Sequence, residues 1–61
     1  MGNLTTKELT FLGDLMTEEQ TLVKKYKLYA TLCSDPQLQT KCQQEAAKHQ
    51  NHYNTLVNEL N

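Results

Sequence analysis

The sequence predicts an all-α protein, an antiparallel hairpin of two long helices joined at Ser34-Asp35-Pro36, which dimerises into a four-helix bundle. Apolar residues recur at alternating spacings of three and four in both halves of the chain, which is the period of a helix face. One proline and two glycines interrupt 61 residues, of which 38% are apolar. The apolar stripe is also wider than a single partner helix covers, and this predicts a second copy of the chain.

The first helix is predicted over about residues 5–33. Thr5 and Glu8 match a capping box, in which the hydroxyl and the carboxylate each accept a hydrogen bond from a free backbone N–H. Gly13 is a weak position, because glycine costs about 1 kcal/mol relative to alanine inside a helix, and Thr17 is a candidate cap for a separate helix. One continuous helix is favoured because the apolar register runs through both positions.

The apolar side of this helix consists of two neighbouring columns. The first contains Leu12, Leu15, Leu22, Tyr26, Tyr29 and Cys33, and the second contains Leu9, Leu12, Met16, Val23, Tyr26, Ala30 and Cys33. A hairpin of two helices needs only one such column for its seam. The polar residue Glu19 takes the place between Leu15 and Leu22.

A turn at residues 34–36 separates the two helices. Asp35 is a favourable N-cap, and Pro36 follows at the first helical position, where its missing N–H costs nothing. The second helix is predicted over about residues 36–60, so that residues 1–61 form a single hairpin domain. Its predicted seam is Leu38, Cys42, Glu45, His49, His52, Leu56 and Leu60, widened by Ala46, Tyr53 and Val57.

The centre of the seam is polar. In a tight helical hairpin, facing residues have numbers that add up to roughly 69–70, so Glu19 faces His49. Glu45 and His52 lie about one turn from His49 on either side. Buried ionisable groups are costly unless they are paired or bound to a metal. Helical bundles hold divalent ions with inward carboxylates and imidazoles, so Glu19, Glu45, His49 and His52 are predicted metal ligands.

Two imidazoles and one carboxylate suit Fe, Mn or Zn, with Glu45 as a further or bridging ligand beside Glu19, His49 and His52. The alternative is a polar pair between Glu19 and His49 that fixes the helix register, with Glu45 and His52 tilted toward solvent. Both interpretations stay open at the level of sequence.

Composition excludes several classes of function. A net charge of −1, with six lysines and no arginine, argues against binding to nucleic acid or an anionic membrane. No apolar run approaches the length of a membrane span, and no basic-then-apolar segment opens the chain, which predicts a cytoplasmic rather than a secreted protein. The spacing of Cys33 and Cys42 argues against a disulfide between them. The absence of a complete catalytic signature favours a non-enzymatic role.

Glu19, Ser34-Asp35-Pro36 and His49-Gln50-Asn51-His52-Tyr53, followed by Leu56 and Leu60, carry a family resemblance. With these motifs the chain resembles the small ferritin-like proteins grouped with spore coat protein F of endospore-forming bacteria. The resemblance covers nearly the whole chain. It implies a ferritin-like bundle, an association with the spore and its coat proteins, and no established enzymatic activity.

The chain departs from the wider ferritin-like pattern at one point. True di-iron ferritins carry Glu-x-x-His in the second helix, whereas here Lys48 stands three residues after Glu45 and the histidine follows at His49. This departure argues against ferroxidase activity and iron storage. The sequence therefore predicts a small homodimeric structural or assembly protein of the coat type, and the alternative is a metal-binding ferritin-like protein.

Overall fold

A computed structural model describes residues 3–61, and these form two α-helices, α1 over Thr6–Leu32 and α2 over Pro36–Asn58. None of the described residues lies in a strand, so the predicted all-helical fold is confirmed. Met1 and Gly2, which the predicted domain also spans, lie outside the described residues. Leu4 and Glu59 line the same depression at the end opposite the turn, as antiparallel helices require. We call this the open end.

The predicted capping box starts α1. The Glu8 N–H donates to Thr5 Oγ1 at 3.0 Å, and the Thr5 N–H donates to Glu8 Oε1 at 2.9 Å. Hydrogen bonds from the Thr5 backbone, and then from its side chain, hold the pKa of the Glu8 carboxyl below its ordinary value. Because the Glu8 pKa is lowered in the folded protein, the stabilisation by these hydrogen bonds is fully present at a pH above the ordinary carboxyl pKa. It is lost as the pH falls through the lowered pKa.

Helix α1 continues without a break through Gly13 and Thr17. The Thr17 hydroxyl donates to the Gly13 carbonyl at 3.1 Å, which is a bond within one helix and not a cap for a second one. The prediction of one long helix is therefore confirmed. Its observed ends, Thr6 and Leu32, lie one residue inside the predicted bounds.

The turn has the predicted cap. Asp35 Oδ1 accepts a hydrogen bond from the Gln37 N–H at 2.9 Å, and Pro36 is the first residue of α2. Cys33 ends α1 with extended backbone angles, φ −77° and ψ 133°. Helix α2 ends at Asn58, two residues before the predicted end at 60, because its last residues tighten into turns.

The seam between the helices is narrow. Its buried residues are Leu12, Val23, Ala30, Cys42 and Ala46. The α1 members belong to the second predicted column. Leu15, Leu22 and Tyr29, which belong to the first column alone, lie beside the seam, and Leu15 and Tyr29 are 47% and 44% exposed. Among residues 3–61, no large side chain is fully buried.

The predicted seam of α2 was wrong in part. Leu38, His52 and Leu60 are exposed, whereas Cys42 and Ala46 are buried. Counting by three and four from Cys42 leads through Ala46, His49 and Tyr53, and the small side chain of Ala46 lets the helices approach. The residues Leu38, Glu45 and His52, spaced by seven, consequently lie along one flank of the seam.

We expect Gly13→Ala to stabilise the protein by about 1 kcal/mol, because alanine restricts the unfolded chain and favours the helix. A Cβ placed on Gly13 meets no atom within 4 Å, so no clash offsets the gain. Urea unfolding at a fixed protein concentration measures the change. Ala47→Gly, at an exposed position in α2, is the reverse control and lowers stability by a similar amount. An unchanged midpoint for Gly13→Ala contradicts a continuous α1.

Candidate metal centre

Three of the four predicted ligands meet at the middle of the hairpin. Glu19 comes from α1, and His49 and His52 come from α2, three residues apart on one helix face. One ligand atom from each residue lies within 4.8 Å of the others. The long-range contact between Glu19 and His49 follows the pairing of facing positions predicted from the tight turn.

The Glu19 carboxylate divides its two oxygens between the two imidazoles. His49 Nδ1 lies 2.6 Å from Oε1, and His52 Nδ1 lies 3.4 Å from Oε2. In the Nδ1–H tautomer the His49 ring donates to the carboxylate, whereas His52 lies at ion-pair distance from it. The side chains of His49 and Glu19 are 16% and 20% exposed, whereas that of His52 is 49% exposed. The cluster is therefore shielded on the seam side and open on the side of His52.

Aromatic contacts fix the plane of the His49 ring. Tyr26 stacks on it with a centroid distance of 5.8 Å and an interplanar angle of 1°. Tyr29 meets Tyr26 edge-on at 6.3 Å, and His52 meets His49 edge-on at 5.4 Å. The sequence pattern placed Tyr26 in both apolar columns of α1 and did not predict this stacking. The spacing brings Tyr26 and His49 to neighbouring seam positions, but it does not define the rotamers that stack their rings.

The donor set suits a divalent transition metal. Imidazole nitrogens and a carboxylate oxygen are the usual ligands of Fe, Mn and Zn. The 2.6 Å separation of His49 Nδ1 from Glu19 Oε1 is a hydrogen-bond length. Ligand atoms around one ion are farther apart, at about 3 Å for metal–ligand bonds of about 2.0–2.2 Å. A metal must therefore replace the shared proton and spread the two side chains slightly.

Glu45 is not part of this cluster. Its carboxylate is half-buried, and its nearest cationic partner is the Nζ atom of Lys48 at 3.9 Å, one helical turn away. Such an exposed pair contributes little. Among the described residues, the group within ligand distance contains Glu19, His49 and His52 without Glu45. Within one copy of the chain, Glu45 is thus separate from the other three predicted ligands.

Both cysteines are free thiols on the seam near the turn. Cys42 is buried. Loss of solvent raises the pKa of its thiol, and the neighbouring Cys33 raises it further. A raised pKa keeps the thiol protonated, which is the less reactive form. These residues serve packing at the turn end and add no nucleophile to the cluster.

One flank of the hairpin is apolar, and the cluster opens onto it. We call this flank the apolar face, and its residues are Phe11, Leu15, Leu22, Tyr29 and Leu38. The heptad spacing places Glu45 and His52 on the same flank. The opposite flank carries a groove lined by the alanines Ala30, Ala46 and Ala47 and by the longer side chains of Lys27, Gln43 and Gln50. Over residues 3–61, neither helix has a stretch long and apolar enough to cross a membrane.

We expect Glu19→Ala to destabilise the metal-free protein by about 1 kcal/mol, because the His49 imidazole loses its hydrogen-bond acceptor in a half-shielded site. Urea unfolding at fixed protein concentration in the presence of a chelator measures this. Glu18→Ala removes the same charge from the neighbouring exposed position and serves as the matched control. Equal effects of the two substitutions would show that the contacts of Glu19 contribute nothing.

The chain matches no protein-family model, no curated protein and no solved structure. The resemblance to the spore coat protein F group stays a prediction carried by Glu19, the Ser34-Asp35-Pro36 turn and the residues 49–53. What the site does is accordingly inferred from its own geometry.

Proposed function

We propose that the protein is a small homodimeric structural unit, in which two hairpins pack their apolar faces together as an antiparallel four-helix bundle. The observation that carries this proposal is the apolar face itself. Leu15 and Tyr29 remain almost half exposed, while the seam buries only five of residues 3–61. A second copy removes this apolar surface from water, which is the main driving force for association.

The size of the face supports a stable dimer. The hairpin measures 46 × 16 × 10 Å. The broad side of such a body covers on the order of 700 Å², close to the roughly 800 Å² per partner that a standard specific interface buries. Obligate dimers of small chains are common because a short chain buries too little apolar surface alone.

The resemblance to spore coat protein F supplies a setting for this unit. We infer that the dimer is an assembly element associated with the spore, with other coat proteins as further partners and a ferritin-like arrangement of its four helices. This inference rests on the Ser34-Asp35-Pro36 turn and on the residues His49-Gln50-Asn51-His52-Tyr53. A non-enzymatic role accords with the raised pKa of the buried Cys42 thiol, which favours its less reactive, protonated form.

Leu15→Glu tests the dimer. Leu15 is 47% exposed in the hairpin, so covering it contributes about 1 kcal/mol per copy, and a glutamate there also has to lose its hydration. We therefore expect the dissociation constant to rise at least about tenfold. Sedimentation velocity over a range of concentrations measures it. Leu28→Glu, at a position that is 54% exposed on the outer side of α1, leaves the dimer intact. A parent chain that is a folded monomer at all concentrations would refute the proposal.

The cluster of Glu19, His49 and His52 favours a second function, binding of Fe, Mn or Zn in the bundle. We expect protein purified without chelator to carry one of these metals. Glu19→Ala and His49→Ala should lower the bound metal at least about tenfold, since even the loss of an outer-shell partner costs that much. Elemental analysis measures the content, and Glu18→Ala keeps the parent value. A parent without Fe, Mn or Zn after exposure to each would exclude this function.

A further inference from the structure

We propose that the metal site is shared between the two copies of the dimer, with Glu19, His49 and His52 from one copy and Glu45 from the other. This inference rests on the proposed homodimer and metal site. It gives a role to Glu45, which the fold places outside the cluster of its own chain.

The polar layer, which consists of Glu19, His49 and His52, lies at the middle of the hairpin. Helix α1 spans Thr6–Leu32, so Glu19 is its central residue, with 13 residues on either side. A two-fold axis perpendicular to the hairpin therefore passes through the polar layer when the apolar faces overlap along their full length. The two clusters then lie at the same level and on the same side of each copy.

The apolar face also carries two polar residues of α2. Glu45 and His52 are seven residues apart in α2, which places them on one line along the helix. They lie roughly 5 Å on either side of the level of Glu19, at a rise of 1.5 Å per residue. A perpendicular two-fold axis exchanges these two levels. The Glu45 of each copy thus meets the His52 of the other.

Charge at the ends of the hairpin favours this antiparallel arrangement over the parallel one. The open end carries Glu8 and Glu59, which flank the apolar face. Near the turn, Lys41 lies beside the same face in the second turn of α2. An antiparallel dimer brings the acidic open end of one copy toward Lys41 of the other. A parallel dimer would instead bring the two open ends together, where Glu8 and Glu59 outnumber Lys7 in each copy.

Burial supplies the reason for a partner at Glu45. In the single hairpin its carboxylate has only a loose contact with Lys48 at 3.9 Å. Dimerisation takes this carboxylate out of water, which is costly unless a cation or a hydrogen bond compensates. An ion held by His52 and its neighbours provides that compensation. Two imidazoles and two carboxylates complete a four-coordinate site of the kind that Zn²⁺ accepts.

A mixed dimer separates a shared site from two independent ones. Glu45→Gln and His52→Gln chains are co-expressed with different affinity tags, and the dimer that carries both tags is isolated. In the shared arrangement, the Glu45→Gln chain keeps its Glu19, His49 and His52 and receives Glu45 from its partner. One complete site results. If each copy used its own Glu45, neither site would be complete.

We expect equilibrium dialysis with Zn²⁺ to find two sites in the parent dimer and an affinity at least about tenfold weaker in either variant homodimer. The mixed dimer recovers one site with parent affinity. Glu18→Gln, which removes the same charge from an exposed position outside the cluster, keeps both sites. Zn²⁺ also lowers the dissociation constant of the parent dimer at least about tenfold and does not do so for Glu45→Gln, because binding and association are linked.

The possible results separate a failure of the shared site from a failure of the proposed dimer or metal site. A parent dimer that binds Zn²⁺ while the mixed dimer has no site of parent affinity overturns the shared site and leaves the proposed functions standing. A Glu45→Gln homodimer with parent affinity overturns it equally. A parent that binds none of Zn²⁺, Mn²⁺ and Fe²⁺ overturns the proposed metal site, and a parent that remains monomeric overturns the proposed dimer. Either result removes the basis of the shared site.

Discussion

A pair of helices can share only one narrow seam, and this constraint determines the rest of the structure. The seam buries Leu12, Val23, Ala30, Cys42 and Ala46, and among them only Leu12 is a large side chain. Small residues at Ala30 and Ala46 bring the helices close, but they contribute little apolar area. The larger apolar side chains lie beside the seam, where a hairpin alone leaves them in water. The seam therefore covers only part of the apolar surface of residues 3–61.

The polar layer lies where the seam meets the apolar face, and its position explains its composition. Glu19 and His49 occupy seam positions that would otherwise take apolar residues, at a cost in desolvation. Their contact at 2.6 Å offsets part of that cost and fixes the helix register, because a shift by one residue would separate them. His52 borders the same layer on the exposed side. Such a layer specifies one alignment more strongly than an apolar seam would.

The elements of the fold were predictable because local signals mark them. The capping box at Thr5, the cap at Asp35 and the tight turn all appear in the sequence, and they sufficed to place Glu19 opposite His49. The choice between the two apolar columns of α1 was not predictable. A helix with 3.6 residues per turn keeps both columns nearly equivalent, and only the fit of Ala30 and Ala46 against the other helix decides which faces inward. The stacking of Tyr26 on His49 depends on side-chain rotamers, which residue spacing does not define.

The aromatic contacts also give the molecule a built-in spectroscopic probe. The chain has three tyrosines and no tryptophan. Two of the three, Tyr26 and Tyr29, touch each other, and Tyr26 stacks on the imidazole of His49. The near-ultraviolet circular dichroism of the tyrosine rings therefore arises largely from one packed group beside the polar layer. Near-ultraviolet circular dichroism reports on the order of that layer without any added label, whereas far-ultraviolet signals report the helices as a whole.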